Sequence, residues 1–154
     1  MALIDVESIL DERVDPFELD KFREIYETQC RRGHPSAGAT FAYATALVRS
    51  TKNHVKQGID ILERLLREDP DDVAKRDYVY YLAIANARLT DYDRAIAYVD
   101  ILLNAESDNR QAKELKTIIE KKMKRDGLIG AALLGGGAAL FVGGLAAAIF
   151  AIKK

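Results

Sequence analysis

The chain has 154 residues, and its 23 Lys and Arg against 24 Asp and Glu leave a net charge of −1. The last 27 residues hold two lysines and no acid, so 21 basic and 24 acidic residues precede them; a net charge of −3 there offers nucleic acid no electrostatic footprint. A single cysteine, Cys30, excludes an internal disulfide and fits a reducing compartment, where it reads as a packing residue rather than a nucleophile.

Residues 1–14 read as an N-terminal arm. The stretch MALIDVESILDERVD is acidic, with neither the basic opening of a secretory signal nor the Arg-rich character of a transit peptide, so targeting information is expected at the opposite end. Leu3, Ile4, Val6, Ile9 and Leu10 form an apolar cluster that needs cover. The arm is either a removable occupant of a nearby groove or a permanent part of the bundle.

Residues 15–126 read as one all-α domain, long enough to bury a core, because Pro16, Pro35, Pro70, Gly33, Gly38 and Gly58 mostly punctuate helical patterns. Asp15 is a cap followed by proline at the first helical position, and Glu18 can complete a capping box. This helix is expected to run to about Arg31, placing Phe22, Ile25, Tyr26 and Gln29 on one face with Glu18 and Leu19, and to end at Gly33-His34-Pro35. Later starts are expected after Ser36, Asp72, Thr90-Asp91 and Ser107, giving short antiparallel helices. The pattern also repeats. Ile59, Leu62 and Leu66 recur 37 residues on as Ile96, Val99 and Leu103, and Gly58 recurs as Ala95.

Residues 127–154 read as a C-terminal tail anchor. Leu128 to Ile152 is 25 consecutive residues without a charge or a strongly polar side chain. As a helix it would reach roughly 37 Å, enough for a hydrocarbon core of about 30 Å, and a helix is the form that satisfies its backbone there. Lys121, Lys122, Lys124 and Arg125 precede the run and place the domain in the cytosol by the positive-inside rule. Lys153 and Lys154 follow it. Ala131, Gly135, Ala139, Gly143, Ala147 and Ala151 fall every fourth residue, a small-residue ladder that allows self-association of the anchor as a homo-oligomer.

Arg76 to Asn109 spans 34 residues and resembles a tetratricopeptide repeat, carried by Leu82-Ala83 and by the run from Asp91 to Ile96. Ala83 and Ala95 stand at its small eighth and twentieth positions. Ala39 to Asp72 resembles a second copy, with Ala46 and Gly58 at those positions and Pro70 at the terminal proline, although Ala42 and Arg49 replace the usual aromatics. Two such hairpins, a helix on each side and a tail anchor resemble the mitochondrial fission 1 protein family over essentially the whole chain. The stretches Phe41 to Ala44, Leu47 to Ser50, Arg76 to Ala83, Asn109 to Leu115 and Lys124 to Leu128 carry that resemblance. It implies a six-helix cytosolic domain held on the mitochondrial outer membrane and on peroxisomes. It further implies a role in organelle division through protein binding, without catalysis.

The residue inventory agrees with a non-enzyme. His34 and His54 fall in expected turns, no His/Cys cluster has metal-ligand spacing, no Gly-rich loop joins a strand to a helix, and no cofactor is implied. Asp69, Asp71 and Asp72 cluster beside Pro70 as caps and solubilising groups. By resemblance, the inner groove positions of the two repeats include Tyr43, Leu47, Ser50, Asp77, Tyr80, Ile84 and Arg88, with Tyr81 beside them, a mixture of aromatic area and an anchored cation common in binding hot spots. Tyr78, Tyr80 and Tyr81 cannot all point into one core from one helix. The partner implied is a dynamin-related GTPase or an adaptor between it and the membrane. A chaperone docking site is the alternative, but clamps for a C-terminal carboxylate place Lys and Asn where Tyr43, Leu47 and Tyr81 stand.

Overall fold

Each of the six long helices starts on a side-chain cap, as the Asp, Ser, Thr and Asn residues between the apolar patterns require. The computed structural model describes residues 6–127. After a single turn, α1 (Val6–Ile9), come α2 (Pro16–Arg31), α3 (Ala37–Val48), α4 (Lys52–Glu68), α5 (Asp72–Arg88), α6 (Tyr92–Ala105) and α7 (Arg110–Arg125). Asp15, Ser36, Thr51, Asp71, Asp91 and Asn109 each accept a hydrogen bond from a backbone N–H of the helix that follows. Such a cap stabilises a helix by about 1 kcal/mol. The described residues contain six helices of 12 to 17 residues and no strand.

The starts at Asp15, Ser36 and Asp91 fall where the sequence places them, whereas two others shift. Asp71 caps α5 in place of Asp72, and Asn109 caps α7 in place of Ser107. Thr51, which begins α4, carries no Gly or Pro signal and is found only in the structure. His54 consequently sits in the first turn of α4 rather than between helices, while His34 lies in the α2–α3 loop as expected. Glu18 turns away from the expected capping box: its Oε1 lies 3.7 Å from Arg49 Nη2.

Neighbouring helices pack in chain order, and α3 also touches α5, which touches α7. These three therefore form one layer of stacked hairpins. The main core contains Leu62, Leu66, Leu82, Tyr98, Val99, Leu115 and Ile119; a smaller one joins Val14, Leu19, Tyr43, Ala46 and Leu47. The repeated register is visible in burial. Leu62 and Val99 are both fully enclosed, and so are Ala46 and Ala83. Gly58 lies against α3 with no room for a side chain. A Cβ added there would lie 2.9 Å from Val48 Cγ2 and 3.0 Å from the Ala44 carbonyl oxygen.

Two sequence expectations about α2 change. Ile25 is exposed although Leu19 is buried and Phe22 and Tyr26 pack on the smaller core, because the buried stripe is only wide enough for positions 19, 22 and 26. Cys30 is exposed rather than packed. It lies in the last turn of α2, where it borders an open cleft with Tyr26, His34, Arg64 and Asp69. Among the described residues no helix is long and apolar enough to cross a membrane. The tail anchor, its small-residue ladder, Lys153 and Lys154 lie outside the described residues, as do Leu3 and Ile4 of the arm.

Candidate partner-binding surface

The residues expected on the groove divide into a buried set and an accessible set. Leu47 and Ile84 are fully buried and offer no surface to a partner, which corrects their assignment. Leu47 is sealed in the smaller core with Leu19 of α2 and Val14, and Ile84 lies in the main core together with Ile9 and Leu10. Tyr43 is also buried. Its ring stacks on Tyr26 at 5.0 Å, and Arg23 Nε donates to its hydroxyl at 3.4 Å, so it is mainly an α2–α3 packing residue.

The accessible set lies on α3 and α5. Phe41 meets Tyr81 edge-on at 5.5 Å, and Tyr81 meets Tyr80 edge-on at 5.8 Å, giving a half-buried strip of three rings. Tyr78 completes the set from below, tilted against Phe41 at 5.4 Å, with its hydroxyl donating to Asp69. Of the three α5 tyrosines only Tyr78 is fully enclosed. Burial pushes the Tyr80 phenol up to about 12, aided by Tyr81 and by Glu114 of α7. Burial raises Tyr81 as well, with Arg49 opposing and Asp77 and Glu12 adding to it. Both rings therefore stay neutral donors at physiological pH. Asp77 is exposed one turn before Tyr81, so the strip has an acidic flank at Asp77 and a basic one at Arg49.

Arg88 and Ser50 join a different feature, the attachment of the arm. Arg88 Nη1 donates to the Ile9 carbonyl oxygen at 2.8 Å, and Nη2 donates to the Ser50 carbonyl oxygen at 3.4 Å. Burial and the nearby Arg13 draw the guanidinium pKa below its ordinary value. Ser50 Oγ and His54 Nδ1 are 2.7 Å apart. The Val14 N–H donates to the Arg49 carbonyl oxygen at 2.8 Å, and Lys122 pairs with Asp11 at 3.3 Å. Residues 9–14 thus bond to the C-terminal ends of α5, α7 and α3, through Ile9, Asp11 and Val14 respectively, and bury Ile9, Leu10 and Val14. Sequence reasoning missed the share taken by Phe41 and Arg49, neither of which stands at an expected inner position; Arg49 is one residue short of Ser50. Their only signal was position within a family stretch.

Lys121, Lys122, Lys124 and Arg125 fall in the last turns of α7. Tyr92, at the start of α6, donates to Asp126, and this ties the end of α7 back to the domain.

The two hairpins coincide with two known repeats. Residues 38–69 match a family model described as the Fis1 N-terminal tetratricopeptide repeat, and residues 76–128 match the Fis1 C-terminal tetratricopeptide repeat. The chain belongs to the Fis1 family. It is 53% identical over 152 residues to the FIS1-related protein fis-2 of Caenorhabditis elegans, covering 98% of this chain and 99% of that one. It is 44% identical over 151 residues to the human mitochondrial fission 1 protein, covering 97% and 98%. Among solved structures, yeast Fis1 in complex with an Mdv1 fragment that contains an N-terminal extension and coiled coil domains superposes with a TM-score of 0.72. That similarity is at 26% identity and covers 83% of this chain and 99% of the other. The family is one of tetratricopeptide-like adaptors rather than enzymes.

Proposed function

We propose that this chain is a tail-anchored adaptor that recruits the machinery of mitochondrial and peroxisomal division through the α3/α5/α7 layer. The observation that carries the reading is the aromatic strip Phe41, Tyr80 and Tyr81, half-buried on a fold shared with a Fis1 solved together with an Mdv1 fragment. Three fixed rings supply large contact area at little conformational cost, and the flanking Arg49 and Asp77 orient what binds. The partner is a dynamin-related GTPase or an adaptor that bridges to it. The apolar run 128–152 holds the domain on the outer membrane of mitochondria and on peroxisomes, and Lys121, Lys122, Lys124, Arg125, Lys153 and Lys154 direct it there.

In this reading residues 1–14 are a gate. Residues 9–14 bridge the same three helices, and Glu12 lies 3.9 Å from Arg49, so releasing the arm frees the basic flank of the strip. Arg88 then belongs to the latch more than to the contact surface.

Proximity labelling from the full-length chain, compared with Tyr81→Ala, tests the surface. Loss of division proteins from the labelled set, with membrane localisation intact, supports it. An unchanged set moves the binding site off the strip. Neutral replacements of Lys153 and Lys154 test targeting: a shift toward the endoplasmic reticulum is expected, and an unchanged distribution rejects the role of those charges.

A further inference from the structure

Ile118, Lys121, Lys122 and Arg125 share one face of α7 at helical spacing, and with Asp11 from the arm they line a cavity of about 150 Å³. At about 30 Å³ per liquid water, that space holds a few waters or one tetrahedral oxyanion. Its lining carries three cations against one carboxylate, and Asp126 pairs with Arg125 at 3.7 Å. The two sides of its ion pair are not equivalent: the Lys122 side chain is 15% exposed, whereas Asp11 is 75% exposed, with its two oxygens 3.3 and 3.5 Å from Lys122 Nζ. The cation is fixed by packing and the acid is the replaceable member. The stem of Lys122 is largely covered while its ammonium reaches solvent beside Asp11, and nothing in the geometry requires the anion it meets there to be Asp11.

We propose that this cavity binds a phosphate monoester, that its source is the headgroup of an anionic lipid, and that the phosphate takes the place of Asp11 on Lys122. With Asp11 displaced, three cations face the phosphate, and Asp126, 3.7 Å from Arg125, offsets one of them, so the two that remain match a phosphate dianion. Arg125 lies three residues before the apolar run that begins at Leu128, so the Arg125 end of the cavity sits within a turn of the bilayer surface; this step rests on the anchor reading given above. Ile118 gives the site one apolar wall. Displacing Asp11 removes one of the contacts that hold residues 9–14, so lipid binding and attachment of the arm oppose each other.

The full-length chain in neutral detergent micelles is titrated with short-chain phosphatidic acid, with phosphatidylglycerol as a diester of like kind, and with inorganic phosphate, and adducts are counted by native mass spectrometry. Phosphatidic acid is expected to bind most tightly. Lys122→Gln should weaken it about tenfold relative to Lys124→Gln, whose exposed side chain does not line the cavity, as loss of a charge-assisted hydrogen bond implies. Lys121→Gln should act in the same direction without breaking the Asp11 pair. Asp11→Asn should tighten binding several-fold relative to Glu120→Gln, which changes the net charge equally from outside the cavity. Equal effects within either charge-matched pair would reduce the attraction to general surface charge and overturn the site. Inorganic phosphate binding as tightly as the lipid would overturn the lipid source. Flotation with neutral phosphatidylcholine vesicles reads the anchor separately: a chain that fails to float but keeps these differences in micelles loses the anchor and retains the cavity.

Discussion

Gly58→Ala turns a tight α3–α4 contact into a measurement. The added Cβ would lie 2.9 Å from Val48 Cγ2, 3.0 Å from the Ala44 carbonyl oxygen and 3.3 Å from the Val48 nitrogen. Two of those three atoms are backbone, so a rotamer change cannot relieve the clash and α4 must move off α3. Overpacking of that kind costs about 1–3 kcal/mol, while replacing glycine by alanine inside a helix gains about 1 kcal/mol. The net expectation is a loss of up to about 2 kcal/mol, or several degrees in Tm for a domain of this size. Gly38→Ala is the matched control. It lies in the first turn of α3 with nothing within 4 Å of its added Cβ, so it should show a small gain. All seven tyrosines lie between residues 26 and 98, and the tyrosine bands of the near-ultraviolet circular dichroism of the full chain therefore follow only the domain during a thermal melt. If Gly58→Ala melts at or above the parent temperature, the account of the α3–α4 contact is wrong.

Ala83→Leu and Ala95→Leu should each lose about 1–3 kcal/mol by the same overpacking, because both alanines are fully buried; Tyr81→Ala should lose partner capture while melting much closer to the parent chain, and coincident melting of the two classes would reject the separation. Deleting residues 1–14 removes Ile9, Leu10 and Val14 from the cores and should lower stability by several kcal/mol. Partner capture per folded molecule should nevertheless rise, and a fall would end the gating role. At alkaline pH, Tyr80 and Tyr92 hold their protons up to about 12 in the folded chain, whereas unfolded tyrosines ionise near ~10. Their folded pKa values are raised, so their contribution is complete below pH ~10 and is lost as pH climbs toward 12. The denaturation midpoint should therefore fall across that window in step with phenolate absorbance, and a flat midpoint would contradict the burial of these rings.

Much of the domain is written in local chemistry. Asp15, Ser36 and Asp91 can be read as caps from the residues beside them, because a cap bonds to a backbone group only two or three positions away. The repeat is legible for a similar reason: Gly58 and Ala95 are small at equivalent places, and the structure finds both enclosed. Other features depend on residues distant in the chain. Thr51 looks like any polar residue until α3 has to reverse into α4 there, and Cys30 is exposed because it faces an open cleft rather than either core. Leu47 and Ile84 stand at inner repeat positions, yet α2, Val14 and the arm cover them. Conversely, Phe41 and Arg49 reach the surface with Tyr81 only because α3 lies against α5. Arg88 bonds a carbonyl 79 residues away, and Lys122 pairs with an acid 111 residues away. Helix starts, period and the apolar run follow from the order of residues because the forces that set them act within a turn or two of chain. Which of those helix faces remains open to a partner is decided by tertiary packing, since burial is a property of whatever else the fold brings alongside.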